Sequence, residues 1–505
     1  MGSVIQIESM NVYEDDETSS PLLLDINIEI EKPSIVSVTG ESGTGKSLLA
    51  FSLLSKEYLY NAYKEYEMFS LNGVDISNVL SSDFAYIPQE PLSSLNPTIN
   101  IKKHFEFNNK DLLQKDLTDY YRLLLREVGF GADEEILIKY PHELSGGMAQ
   151  RVLIALALQN NPKILIADEA TSSLDAVNEK NILDLLKRIS DSRELTTILI
   201  THDVRVARKY CTRHYNIKEK KIYLLESIES TPLLHNQSLF KEKNSTKNNQ
   251  EVIKVENLSF NFKSNNEILK GINFAINTRE IVGLIGLSGS GKSTITKLLM
   301  KLHKPRKGIS YLFGKDISEY SRKDYASYVQ IVFQDLYGSL NPKRKIIDIL
   351  LDSFLINQSD EDENIENSKK NNLSTKEEII YEYIDKVGLD KQILHRFSQS
   401  LSGGQRQKIL ILKALLVKPA IIIFDEPMSS LDIKSQNEII KIIKSLYLED
   451  NLTILFITHD YRLVEALCNR VMVLSDGEIV ENGDVQEVLN NPKHSGSRKI
   501  LEVVK

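Results

Sequence analysis

Tryptophan is missing from this chain, and cysteine occurs only at positions 211 and 468. Two thiols so far apart exclude a disulfide framework and fit a reducing compartment. Nowhere do eighteen apolar residues follow one another, so the chain is not expected to cross a bilayer by itself. The first residues, MGSVIQIESM, have neither a basic n-region nor an apolar h-region, so no signal peptide is expected there. Gln6 stands where a myristoylation site wants Ser or Thr. Positive charge is not in excess either. The formal charge is −8, which gives no overall field for nucleic acid or anionic lipid. The remaining composition, 41% hydrophobic and 26% charged, is ordinary for globular proteins, and 505 residues are too many for one core.

The chain contains itself twice. GESGTGKS at Gly40–Ser47 returns as GLSGSGKS at Gly286–Ser293, 246 residues later counted from Lys46 to Lys292. Gln89 in PQEPLSSLNP returns as Gln334 in FQDLYGSLNP, 245 residues later. LSGGMAQR from Leu144 and LSGGQRQK from Leu401 are 257 apart, as are Asp168 and Asp425 and the two THD triplets at His202 and His459. The second copy therefore carries an insertion of about twelve residues after its glutamine. The polar stretch 357–376, with Asp360, Glu361, Asp362, Glu363 and Glu366, is the place for it and is expected to be a solvated loop. A period this long is a domain duplication. We expect domains at 1–226 and 251–505, joined by an Asn-, Lys- and Ser-rich linker at 227–250. Short apolar strands alternating with helical segments indicate an α/β core in each.

The G-x-x-x-x-G-K-S strings follow apolar strands (SIVSVTG; EIVGLIG) and precede helices, the setting of a phosphate-binding P-loop. Gly40, Ser42, Gly43, Thr44, Gly45 and Leu48, with Gly286, Ser288, Gly289, Ser290, Gly291 and Thr294, would turn backbone N–H groups onto phosphates at a helix N-terminus. Lys46 and Lys292 should reach the β- and γ-phosphates, and Ser47 and Ser293 offer a hydroxyl to Mg²⁺. Asp168 and Asp425 end runs of four apolar residues, which places a carboxylate where it can hold Mg²⁺. Glu169 and Glu426 follow at once and can polarise the attacking water. A lone histidine is more often structural, but His202 and His459 recur at matched positions after apolar strands. They are expected to bond the γ-phosphate and the water. Cys211 and Cys468 are also matched and are expected to pack in the core, since one cysteine per copy cannot make a zinc site.

With a glutamine segment ahead and the Asp-Glu pair behind, LSGGMAQR and LSGGQRQK resemble the signature of ATP-binding cassette domains, and the resemblance covers almost the whole chain. It implies two tandem P-loop NTPase cassettes, each with a RecA-like α/β core, an antiparallel β subdomain and a helical signature subdomain. It further implies ATP hydrolysis with ATP and Mg²⁺, each ATP lying between one copy's P-loop and the other's signature. One site would join Lys46, Asp168, Glu169 and His202 to Ser402, Gly403 and Gly404. The other would join Lys292, Asp425, Glu426 and His459 to Ser145, Gly146 and Gly147. Gln89 and Gln334 would sense Mg²⁺, and the SSLD segments at Ser172–Asp175 and Ser429–Asp432 would cross the interface. Phe262 fits the adenine-stacking place; in the first copy Tyr13 is nearest but shifted by one residue. Ala170, Leu48 and Lys408 depart from the usual proline, threonine and arginine.

Within that superfamily, the SLNP strings, YPHELSGG and the tail NNPKHSGSRKILEVV resemble the oligopeptide, dipeptide and nickel importers. The implied partners are two transmembrane permeases and an extracytoplasmic binding protein, with the chain peripheral on the cytoplasmic face of the membrane and no nucleic acid bound. The segments after Gln89 and Gln334, rich in small and turn-forming residues, are expected to form a surface groove for the permeases, with Leu95 and Leu340 in it. An exporter motor is an alternative. So is a ribosome-associated tandem cassette, against which the short linker and S-S-L-D in place of N-H-L-D both speak. DNA-repair cassettes would need a coiled coil or zinc modules.

Overall fold

A computed structural model describes residues 4–14, 20–31, 34–41, 43–54, 63–107, 117–131, 135–172, 174–227, 250–262, 267–335, 338–356, 368–429, 431–449 and 452–504. The chain divides into two compact units, Met1–Thr231 and Pro232–Lys505. Nearly all of the expected linker lies outside the described residues. Among the described residues, no helix is long and apolar enough to cross a membrane.

In the first unit a six-stranded sheet runs in the order Lys221–Leu225, Arg213–Lys218, Ile35–Gly40, Thr196–Ile200, Ile164–Asp168, Phe84–Ile87. All its pairings are parallel except that of the first two strands. The central strands read as continuous apolar or β-branched runs because both faces are covered. Ile164 and Ile166 pack with the P-loop helix Lys46–Leu53 and the antiparallel sheet, whereas Leu165 and Ala167 face a second cluster with the helix Gly146–Leu158. That division follows from the two-residue period of a strand. The antiparallel sheet contains Ile5–Tyr13, Leu23–Ile30, Met68–Leu71 and Val74–Asp75, with Tyr63–Glu65 also on the first strand.

The second unit repeats this strand order with Glu478–Asp484, Arg470–Ser475, Ile281–Gly286, Thr453–Thr458, Ile421–Asp425 and Val329–Val332. Ile421 and Ile423 face one cluster, Ile422 and Phe424 the other. Its tail is folded: the helices Val485–Asn490 and Ser495–Val504 bury Leu489, Ile500 and Leu501. One expectation needs correcting. Residues 357–367, the acidic run included, lie outside the described residues, but 368–376 of the expected loop are helical, being the start of Ser368–Lys386. No glycine or proline interrupts it, and buried Ile380 and Ile384, four residues apart, tie its far end to the core.

Candidate functional site

The order of strands decides what meets. In each unit the P-loop strand and the aspartate strand flank the strand that ends in the histidine. Val38 and Asp168 both bracket Ile200 in register, and Ile285 and Asp425 do so for the strand ending at Thr458. The carboxyl ends of these strands form the crevice where ligands bind in open α/β sheets. Glu169 N donates to Ile200 O and Glu426 N to Ile457 O, both at 2.9 Å, which fixes each glutamate beside the histidine strand.

Gly45 and Gly291 start the P-loop helices with φ of 97° and 107°. A Cβ there would lie 2.9 Å from Leu23 Cδ2 or 2.6 Å from Leu269 Cδ2, so only glycine brings this turn against the antiparallel sheet. Ser42 lies outside the described residues. Lys46 Nζ donates to Gly40 O (3.0 Å) and Glu41 O (2.9 Å) and lies 3.8 Å from Glu169 Oε1. Lys292 Nζ donates likewise to Gly286 O (2.8 Å) and Leu287 O (3.0 Å). Both lysines are buried, so these carbonyls offset the cost of removing an ammonium from water. Thr44 Oγ1 donates to Glu41 O at 2.9 Å, bracing the loop.

Around the glutamates the units are similar but not identical. His202 Nδ1 lies 3.4 Å from Glu169 Oε1, and His459 Nδ1 lies 2.8 Å from Glu426 Oε2. Burial alone would raise the Glu169 carboxyl, but the hydrogen bond and charge of His202, with the charge of Lys46, hold it below its ordinary value. Burial likewise opposes charge on His202 and His459, yet contact with the glutamates raises both. Gln89 Nε2 donates to Glu169 Oε2 (3.1 Å), and both Gln89 and Gln334 are exposed.

The aspartates are carboxylates in need of a countercharge. Burial raises Asp168 against the hydrogen bonds of Ser47 and Tyr86. Asp425 is pushed up to about 6, first by burial and then by the charge of Glu426. A buried carboxylate beside a serine hydroxyl is a hard oxygen set that fits a divalent cation sharing its shell with water and phosphate. Among the described residues, no group of three His, Cys, Asp or Glu forms a metal cage made of protein alone.

The signature segments stand at helix starts. Ser145 Oγ accepts from Met148 N and Ser402 Oγ from Gln405 N, both at 3.3 Å. A Cβ on Gly147 would lie 3.0 Å from Asn178 Oδ1, and one on Gly404 3.2 Å from Ser435 Oγ, so small residues let this turn lie against the next helix. Gly146 and Gly403 abut Leu174 and Leu431. Phe262 is 50% exposed and packs its ring perpendicular to those of Phe260 and His303. Tyr13 instead donates its hydroxyl to Glu65. Lys408 pairs with Glu438 at 2.8 Å. Cys211 and Cys468 are buried.

Leu95 and Leu340 do not line a surface groove. Each is 2% exposed and belongs to a main core cluster. The turn residues around them fold the chain so that the single apolar side chain points inward. The exposed apolar residues nearby are Leu92 (46%) and Phe333 (41%). Tyr86, whose hydroxyl donates to Asp168 Oδ2 at 3.0 Å, was not singled out by sequence, where it reads as an ordinary strand residue.

The profile of the ABC transporter family matches residues 23–172 and 269–429. The chain is 31% identical to the uncharacterized ABC transporter ATP-binding protein YejF of Escherichia coli K12, over 99% of both chains. It is 30% identical to the peptidoglycan transport ATP-binding protein YejF of Agrobacterium fabrum, over 94% of this chain and 91% of that one. It is also 28% identical to the glutathione import ATP-binding protein GsiA of Escherichia coli K12, over all of this chain and 90% of that one.

Proposed function

The chain belongs to the ABC transporter family as an ATPase with two fused cassettes, and from that premise we propose that it drives a binding-protein-dependent importer of peptides or peptide-like solutes. The observation that carries the ATPase chemistry is the Lys–Glu–His cluster at the carboxyl edge of each sheet. The cargo class rests on full-length relatives named for peptidoglycan transport and glutathione import.

The reaction is ATP plus water to ADP plus phosphate. Lys46 and Lys292 exchange loop carbonyls for β- and γ-phosphate oxygens, while the P-loop N–H groups cradle the rest. Ser47, Asp168 and Gln89, and Ser293, Asp425 and Gln334, are the residues that would hold Mg²⁺, which neutralises charge on the phosphates when bound. Glu169 and Glu426 orient and polarise the attacking water. With Nδ1 turned to the glutamate, each histidine presents Nε2 toward the γ-phosphate and donates to it as the protonated ring. Gln89 gives Nε2 to Glu169 and keeps Oε1 for the cation, so one amide can link the catalytic carboxylate to the metal site. The first-turn N–H groups at Ser145–Gly147 and Ser402–Gly404 suit a phosphate, and the ring of Phe262 suits adenine.

Two permeases and an extracytoplasmic binding protein complete the assembly, with the chain peripheral on the cytoplasmic face of the membrane. The test is co-purification with membrane permeases and uptake of labelled short peptides into reconstituted vesicles. Uptake should vanish in the double variant Glu169→Gln, Glu426→Gln. Co-purification with ribosomes and no permease, or transport in the outward direction, would refute import.

A further inference from the structure

The two metal-binding aspartates differ in what the edge strand offers them. In the first unit Tyr86 lies on the edge strand Phe84–Ile87, paired with Ile166 of the aspartate strand. Strand alternation sends it to the face of the P-loop helix, where its ring lies 5.2 Å from that of Phe51 and its hydroxyl donates to Asp168 Oδ2 at 3.0 Å. The matching residue of the second unit is Ile331, paired with Ile423, which has no hydrogen to donate. There the hydroxyl of Thr296, one turn into the P-loop helix, donates to Lys292 O at 3.3 Å. The edge strand of the first unit thus gives its aspartate a donor that the edge strand of the second does not.

We propose that Tyr86 is the positioning residue for the metal-binding carboxylate of the first cassette, a role that Ile331 cannot fill in the second, so that the two ATP sites differ in their dependence on divalent cation. A carboxylate that meets a cation must keep one rotamer in the face of repulsion from the phosphates and from the glutamate beside it. A hydrogen bond to one oxygen fixes that rotamer and leaves the other oxygen outward. Tyr86, on a strand that ends two residues before Gln89, moves with the edge strand. Movement of the glutamine segment therefore reaches Asp168 by a route that Asp425 lacks. The inference rests on the ATPase reading of the site.

The test uses the full chain with Lys292→Ala, which confines tight nucleotide binding to the first site. The readouts are the Mg²⁺ concentration for half-maximal binding of a fluorescent ATP analogue and the affinity for the same analogue in EDTA. Tyr86→Phe keeps the ring against Phe51 and removes only the donor. It should raise the Mg²⁺ requirement about tenfold, the low end for loss of a carboxylate's outer partner, and leave EDTA affinity and the thermal midpoint unchanged. An Mg²⁺ requirement within about twofold of the parent, below the usual outer-partner effect, would overturn the proposal. So would an equal fall in EDTA affinity, which would indicate lost packing instead of lost positioning. A parent with no Mg²⁺-dependent nucleotide binding would overturn the ATPase reading itself, and the proposal with it.

Discussion

Leu92 and Leu95 stand three residues apart in the same segment, and their environments predict opposite phenotypes. Leu95 is 2% exposed and shares a cluster with Ile101, Phe105, Tyr121 and Leu124. Truncating a buried leucine to alanine costs about 2–5 kcal/mol, because the lost transfer energy adds to that of a cavity. A unit of this size loses roughly 2–4 °C per kcal/mol, so Leu95→Ala should lower its thermal midpoint by about 4–20 °C. Leu92 is 46% exposed. Its replacement should stay within about 0.5 kcal/mol, a shift of no more than about 2 °C. Function should divide the other way. Leu92→Asp should leave folding and ATP binding intact but weaken co-purification with the permeases, whereas Leu95→Ala should weaken all three through loss of fold. Scanning calorimetry of the free chain, followed by pull-down with the permeases, measures both. Equal thermal shifts for the two alanine variants, or normal permease binding by Leu92→Asp, would refute the reasoning.

Glu169→Gln and Glu426→Gln should each slow single-turnover hydrolysis at the altered site by about 10²-fold or more while ATP affinity is kept; full activity in either would show that its glutamate does not act on the water. The raised His459 makes stability depend on pH with a definite sign. Its contribution is complete below the unfolded histidine value of about 6.5 and is lost as pH rises through the higher folded value. The thermal midpoint of His459→Asn, measured without nucleotide, should therefore fall short of the parent's at about pH 6 and draw level above the folded value; a constant gap would contradict the Glu426 contact. Burial pushes the Cys211 thiol up to about 12 and raises Cys468 further in the same direction. Neither should react with iodoacetamide in the native chain at about pH 8, while both react after unfolding; rapid native labelling would show that the core is open.

Residues whose chemistry fixes both their type and their neighbours were legible. A P-loop lysine needs glycines beside it, and an aspartate at the end of four apolar residues has few other uses, so Lys46, Lys292, Asp168 and Asp425 stand out in the string. Tyr86 did not, because it reaches Asp168 through strand pairing that no local spacing records. Leu95 misled for a similar reason. A leucine among serines, asparagine and proline has the look of a turn, and only the tertiary cluster shows that the turn exists to bury it. The α/β core and duplication were readable from apolar runs and repeated motifs. The helix at Ser368–Lys386 was hidden because its first residues are as polar as a loop.

Glu169 and Glu426 have φ of 46° and 49°, the left-handed region in which a side chain costs about 1–2 kcal/mol. Glycine at either place would relieve that strain and remove the water-polarising carboxylate in one step. The relieved strain offsets only part of what the lost histidine contact costs, so here strain and ion pairing oppose each other where in the usual buried position they do not. A cassette that binds ATP without turning it over lies a single substitution away. In a duplicated chain, where the other copy still turns over, folding quality control would not detect the change. Only continued selection on transport itself can hold both glutamates in place across generations.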